Sequence, residues 1–99
     1  MECFISGPVT GVVGYEAAFA EAERLLTEQG HKVFNPARAF AGWIDYEAIM
    51  DACLKAVEKA DVVCMLPGWQ QSCGANREYG YALAKGIRIE KLYEEERTC

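Results

Sequence analysis

The chain has a single histidine, His31, and its five cysteines, Cys3, Cys53, Cys64, Cys73 and Cys99, form no CxxC pair. No zinc-site spacing can be assembled from that set, and the odd cysteine count argues against a disulfide framework. The thiols are therefore read as free in a reducing, cytoplasmic setting, with Cys3, Cys53 and Cys64 as small core hydrophobes. No apolar run approaches the roughly 20 residues that a bilayer crossing needs. Glu2 stands where a secretory leader would carry positive charge, and the run from Cys3 to Ile5 is too short for its apolar segment. Positive charge is also scarce: 10 Lys and Arg against 15 Asp and Glu give a net charge of −5. With no basic stripe, binding to a nucleic acid polymer is not expected, because neutralising phosphates needs clustered cations. There is no GK[ST] motif and no GxGxxG, so neither ATP hydrolysis nor a dinucleotide fingerprint is supported.

What is present is the composition of a folded globule. The 99 residues are 52% apolar and 25% charged, with 9 Gly and 3 Pro, enough for one domain over residues 1–99 and no more. A chain of this size buries only about 60 to 70% of its unfolded surface, so self-association would help it.

Strand and helix patterns alternate along the chain. Residues 2–6 read as a strand closed by Gly7-Pro8, and a loop with three glycines leads into a helix over 15–29. Within that helix Ala18, Phe19, Ala22, Leu25 and Leu26 make one apolar stripe. Gly30 stops it. Residues 31–34 form a second strand, and a loop with Arg38, Phe40, Gly42 and Trp43 follows. Asp45 caps a helix reaching about Lys59. The run from Asp61 to Leu66 is one acid and then apolar residues only, the pattern of a strand buried on both faces. After a loop over 67–71, Ser72 starts a third helix to Lys85, which Gly86 ends. Residues 87–93 read as an edge strand and Glu94 onward as a solvated tail. This β-α-β-α-β-α-β order implies a small doubly wound, flavodoxin-like or Rossmann-like α/β fold: a parallel sheet of about four strands with three helices. Ligands of such sheets bind beyond the carboxyl ends of the strands, which singles out the loops 7–14, 35–43 and 67–74.

Three features in those loops bear on chemistry. The glycines of the first loop suit either close approach to a phosphate or a tight strand-to-helix connection. Ser72-Cys73-Gly74 opens a helix, where a hydroxyl, free amides and the positive dipole end come together; Ser72 is equally suited to be a plain cap. Glu78 follows six residues later, roughly 9 Å along the axis. Its neighbours at i−4, i−3 and i+4 are Gly74, Ala75 and Ala82, so this stripe packs closely against something. A carboxylate there is either the edge of a buried face or a functional group below an anion site. In the second case it suits attack on an anomeric carbon, as in retaining glycosidases. A second carboxyl group would have to come from Asp45, which reads as a cap, Asp51, which reads as exposed, or Asp61, which reads as structural. Trp69, Trp43, Phe40 and Tyr15 could stack a base or cover the sheet edge.

Four segments, Phe4-Ile-Ser-Gly-Pro-Val-Thr-Gly11, Phe34-Asn-Pro36, Ala60 to Trp69 and Ser72 to Ala82, resemble the nucleoside 2-deoxyribosyltransferase-like superfamily. The closest likeness is to its small branch with an ISGPxTG start and an LPGW…SxGA…E core. The resemblance spans Met1 to about Ile89. It implies that Glu78 is a nucleophile toward C1′ of a nucleoside or its 5′-monophosphate, through a covalent glycosyl-enzyme intermediate. It also implies that Ser72 contacts a 5′-phosphate and that Gly7 and Gly74 lie around sugar and phosphate. Phe4, Ser6, Thr10, Asn35 and Trp69 complete the expected substrate-binding set. Three positions depart from the superfamily's pattern. Phe4 stands for a Tyr whose hydroxyl touches the nucleophile, Cys53 for a sugar-side Asp, and Thr10 for an Arg.

The expected activity is thus that of an N-glycosidase or deoxyribosyltransferase acting on a nucleoside 5′-monophosphate. Phe4 and Cys53 leave open a non-catalytic module that binds or sequesters a nucleotide. No cofactor and no metal are expected. The expected partners are a small-molecule nucleotide or nucleoside and further copies of the chain as a homodimer or larger, with no membrane and no nucleic acid polymer.

Overall fold

The computed structural model describes residues 1–9 and 11–93; Thr10 and the tail from Glu94 to Cys99 lie outside the described residues. Four strands, β1 (Glu2–Ser6), β2 (Lys32–Phe34), β3 (Val62–Met65) and β4 (Arg88–Lys91), form one parallel sheet in the order β2-β1-β3-β4. The helices are α1 (Tyr15–Glu28), α2 (Pro36–Ala39), α3 (Tyr46–Lys59) and α4 (Cys73–Lys85), with one 3₁₀ turn over Trp69–Gln71. Four helices among the described residues correct the expected three. The extra one is α2, in a stretch expected to be loop. Asn35 accepts from the Ala37 amide at 3.0 Å and Pro36 takes the first helical position, so a pair of residues that ends β2 also begins a helix. The second strand starts at Lys32 rather than His31 because the His31 amide is spent on the Leu26 carbonyl, closing α1. The last strand spans Arg88–Lys91 rather than the expected 87–93.

The expected caps are where the sequence puts them. Asp45 accepts from the amides of Glu47 and Ala48 at 3.0 and 3.2 Å, Ser72 caps α4, and Gly86 ends α4 with φ +72°. Asp61 is structural: its carboxylate accepts from the Glu2 amide at 2.7 Å, at the amino end of the sheet.

Alternation along β1 divides the interior. Cys3 and Ile5 face α1 with Val62, Cys64 and Leu66, while Phe4 faces α3 and α4 with Val63 and Met65. β1 is the centre of this arrangement. It pairs with β2 on one side and with β3 on the other, so the strand order reverses at its carboxyl end, where a doubly wound sheet opens a crevice. No helix among the described residues is long and apolar enough to cross a membrane.

Candidate functional site

A cavity of about 370 Å³ occupies that crevice. Of the residues singled out in the sequence, Gly7, Tyr15, Phe40, Trp43, Cys53, Ser72, Gly74 and Glu78 line it, joined by Tyr46 of α3. Glu78 is 6% exposed. Its Oε1 accepts a hydrogen bond of 2.5 Å from the Ser6 hydroxyl, and Cys53 lines the same cavity wall. Burial is the dominant influence on this carboxyl group and pushes its pKa up to about 7, against the hydrogen bond from Ser6, the Cys53 thiol and the charge of Arg77. At neutral pH, Glu78 is therefore divided between acid and carboxylate. Burial and the neighbouring Glu78 charge push the Cys53 thiol well above its ordinary value, so it stays protonated.

Helix packing places Glu78 here. Ala75 and Ala82 are buried, and a methyl group on Gly74 would lie 3.3 Å from the Met50 sulfur and 3.5 Å from the Tyr46 hydroxyl. The small stripe thus lets α3 and α4 close together, which carries the Glu78 carboxyl under the sheet edge. At the start of α4, the Ser72 Oγ accepts from the Ala75 amide at 3.1 Å. The hydroxyl is a cap, and the first-turn amides of Cys73 and Gly74 are left as donors toward the cavity end of the helix. Gly7 sits against Leu66: an added Cβ would stand 2.8 Å from the Leu66 Cβ. Only glycine lets the first loop lie this low.

The other expected binding residues lie elsewhere. Ser6 is fully buried and does not line the cavity; it reaches the site through Glu78. Phe4 is fully buried and stacks on Phe34 at 5.6 Å. Asn35 caps α2 and donates to Glu23 at 3.1 Å. Trp69, expected as a base platform, is turned inward by the 3₁₀ turn, 6% exposed and stacked on Tyr79 at 4.6 Å. Thr10 lies outside the described residues. The aromatic wall of the cavity is the Phe40–Trp43 pair, Trp43 being the other expected platform, with centroids 4.8 Å apart and Trp43 half exposed. Tyr46 was hidden from sequence reasoning because it falls in the helical apolar spacing of α3; Arg77 over its ring marks it out only in three dimensions. Asp51 is exposed, as expected, and Glu78 is the one carboxyl-bearing side chain among the described cavity-lining residues. No group of three His, Cys, Asp or Glu among the described residues is arranged to hold a metal ion.

The four-stranded order and the crevice at β1 define an α/β fold shared with nucleoside 2-deoxyribosyltransferases. The chain is similar to a 2-deoxyribosyltransferase from the psychrotolerant bacterium Bacillus psychrosaccharolyticus, with a TM-score of 0.74 and 16% identity over 98% of this chain and 77% of that one. It is similar to a 2-deoxyribosyltransferase from Leishmania mexicana, with a TM-score of 0.74 and 21% identity, covering 97% of this chain and 66% of that one. It is also similar to a CMP N-glycosidase from Clostridium botulinum, with a TM-score of 0.64 and 22% identity, covering 92% of this chain and 70% of that one. No curated protein matches the sequence significantly. The chain belongs to the family described as Domain of unknown function (DUF4406), which matches residues 1–91.

Proposed function

We propose that this protein cleaves the N-glycosidic bond of a nucleoside 5′-monophosphate, with Glu78 as nucleophile. The observation that carries the reading is a single buried carboxyl group, held by a 2.5 Å hydrogen bond from Ser6, in the wall of the strand-end cavity that also holds the start of α4. In the first step a Glu78 oxygen bonds to C1′ while the C1′–N bond breaks. The base leaves with the bonding electrons and takes a proton from solvent. In the second step water or another base attacks C1′ and releases Glu78 as a carboxylate. The Cys73 and Gly74 amides and the positive end of α4 suit the 5′-phosphate. Phe40 and Trp43 offer a face for the base. The structural neighbours, named for deoxyribosyl transfer and for CMP N-glycoside cleavage, support the same kind of reaction.

Attack requires ionised Glu78, so base release rises with pH through about 7, the group's own pKa. The test is chromatographic detection of free base from each ribo- and deoxynucleoside 5′-monophosphate and from the free nucleosides. Wild type releases base from one class, and Glu78→Ala releases none while still binding the nucleotide. Release that survives Glu78→Ala overturns the reading.

A second reading, a module that binds a nucleotide without turning it over, is favoured by the lack of a second carboxyl group among the described lining residues. Ligand-dependent thermal stabilisation without base release would establish it.

A further inference from the structure

Glu78 is an ionisable group in a poor place for one, and its surroundings show how it is managed. Three elements converge on it. β1 brings the Ser6 hydroxyl to 2.5 Å from Oε1, from a residue that is itself fully buried. α3 brings the Cys53 thiol, 2% exposed and in the same cavity wall. α4 carries Glu78 and, one residue earlier, Arg77, which sits over the Tyr46 ring and pairs with Glu47 at 3.5 Å. Tyr46 and, on α1, Tyr15 line the cavity farther round. Ser6 faces α3 and α4 because it follows Phe4 by two residues on the same side of β1. Its hydroxyl has no water to turn to at that depth, and a buried donor left without an acceptor is costly. The bond to Glu78 therefore fixes both partners.

We propose that Ser6 and Cys53 are positioning residues for Glu78: a hydroxyl from β1 and a thiol from α3 hold its carboxyl group in one orientation toward the cavity and stabilise its ionised form. This assigns Ser6 a role through Glu78 rather than through substrate. It also assigns Cys53 a role that its burial as a small hydrophobe does not suggest. It rests on the reading of Glu78 as nucleophile for its catalytic meaning, but the arrangement itself can be tested without turnover. Both donors favour the carboxylate over the acid, so losing either makes Glu78 harder to ionise.

The experiment is a pH titration of the Glu78 carboxyl carbon by ¹³C NMR in wild type, Ser6→Ala, Cys53→Ala and Cys53→Ser, with Glu78→Gln to assign the signal. Ser6→Ala raises the midpoint by about one pH unit, the size expected for one hydrogen bond to a charged group. Cys53→Ala raises it less. Cys53→Ser, which offers a stronger donor at nearly the same size, lowers it. A merely packing role for Cys53 predicts no such opposite movement. If Ser6→Ala does not fold, the two Cys53 variants decide the matter alone. Midpoints equal to wild type in the folded variants overturn the proposal. Base release is measured on the same samples, and the variants that raise the midpoint lower kcat at pH 7 with KM little changed. Shifted midpoints without release by wild type leave the positioning intact and count against the glycosidase; release with unshifted midpoints does the reverse.

Discussion

On the α1 face of the sheet, Cys3 and Cys64 lie buried in one apolar cluster with Phe19, Ala22 and Leu26. On the opposite face Cys53 is buried to the same degree among Phe4, Val57 and Met65, but its partner is a carboxyl group. All three thiols are held protonated by burial, which pushes the Cys64 pKa up to about 12. The difference is what the thiol serves. On the α1 face the thiols fill space in an apolar cluster. The other face keeps an acid out of water, a costly arrangement for a small domain unless the acid is used.

The contrast can be broken most sharply at Glu78. Its folded pKa of about 7 lies above the ordinary 4.5, so the folded state binds more protons than the unfolded chain between those values. Wild type therefore loses stability as pH rises from about 4.5 to about 7, by roughly 3 kcal/mol in all, and then levels off. Glu78→Gln removes that slope, leaving a variant more stable than wild type at pH 8 and without base release. Urea unfolding at pH 5 and pH 8 measures both. A slope that persists in the variant would move the cost to another group.

Gly7 and Gly74 give the next largest effect, and they should differ. Gly7→Ala forces a Cβ to within 2.8 Å of the Leu66 Cβ, on backbone-anchored atoms that cannot swing away, and destabilises by about 1–3 kcal/mol. Gly74→Ala meets the Met50 sulfur at 3.3 Å, the soft end of a flexible side chain, and costs less. Comparable losses in thermal melts of the two would refute this account of the first loop. The smallest effect belongs to the α1 face. Cys64→Ala costs about 1 kcal/mol through the lost sulfur volume and leaves the Glu78 titration where it was, whereas Cys53→Ala moves it.

The strands, α1, α3 and α4 were legible because each has an apolar period and at least one terminal signal, such as Asp45, Ser72 or Gly86. α2 was not, because Asn35-Pro36 reads as a stop after β2, and its second meaning as cap and first residue needs the chain beyond it. Within the site, Glu78 stood out as a carboxylate among Gly74, Ala75 and Ala82. Its bond to Ser6 did not, since nothing local connects two residues 72 apart in sequence. Trp69 misled for a physical reason: a Trp in a strand-end loop is free to face either way, and the 3₁₀ turn points this one at Tyr79. Phe40 and Trp43 took the place by the cavity that its position suggested.

The central place of β1 has a consequence for biosynthesis. Within this domain β1 comes before both of the strands that flank it, and its partner β3 is translated only after α3. Until then one edge of β1 is an unsatisfied row of amides and carbonyls, open to pairing with other chains. The pocket cannot exist before α4 has emerged, because Ser6 of β1 and Glu78 of α4 are halves of one hydrogen bond. A nascent or prematurely terminated chain would thus carry the exposed edge without the site, which makes truncation products of this protein a risk to solubility.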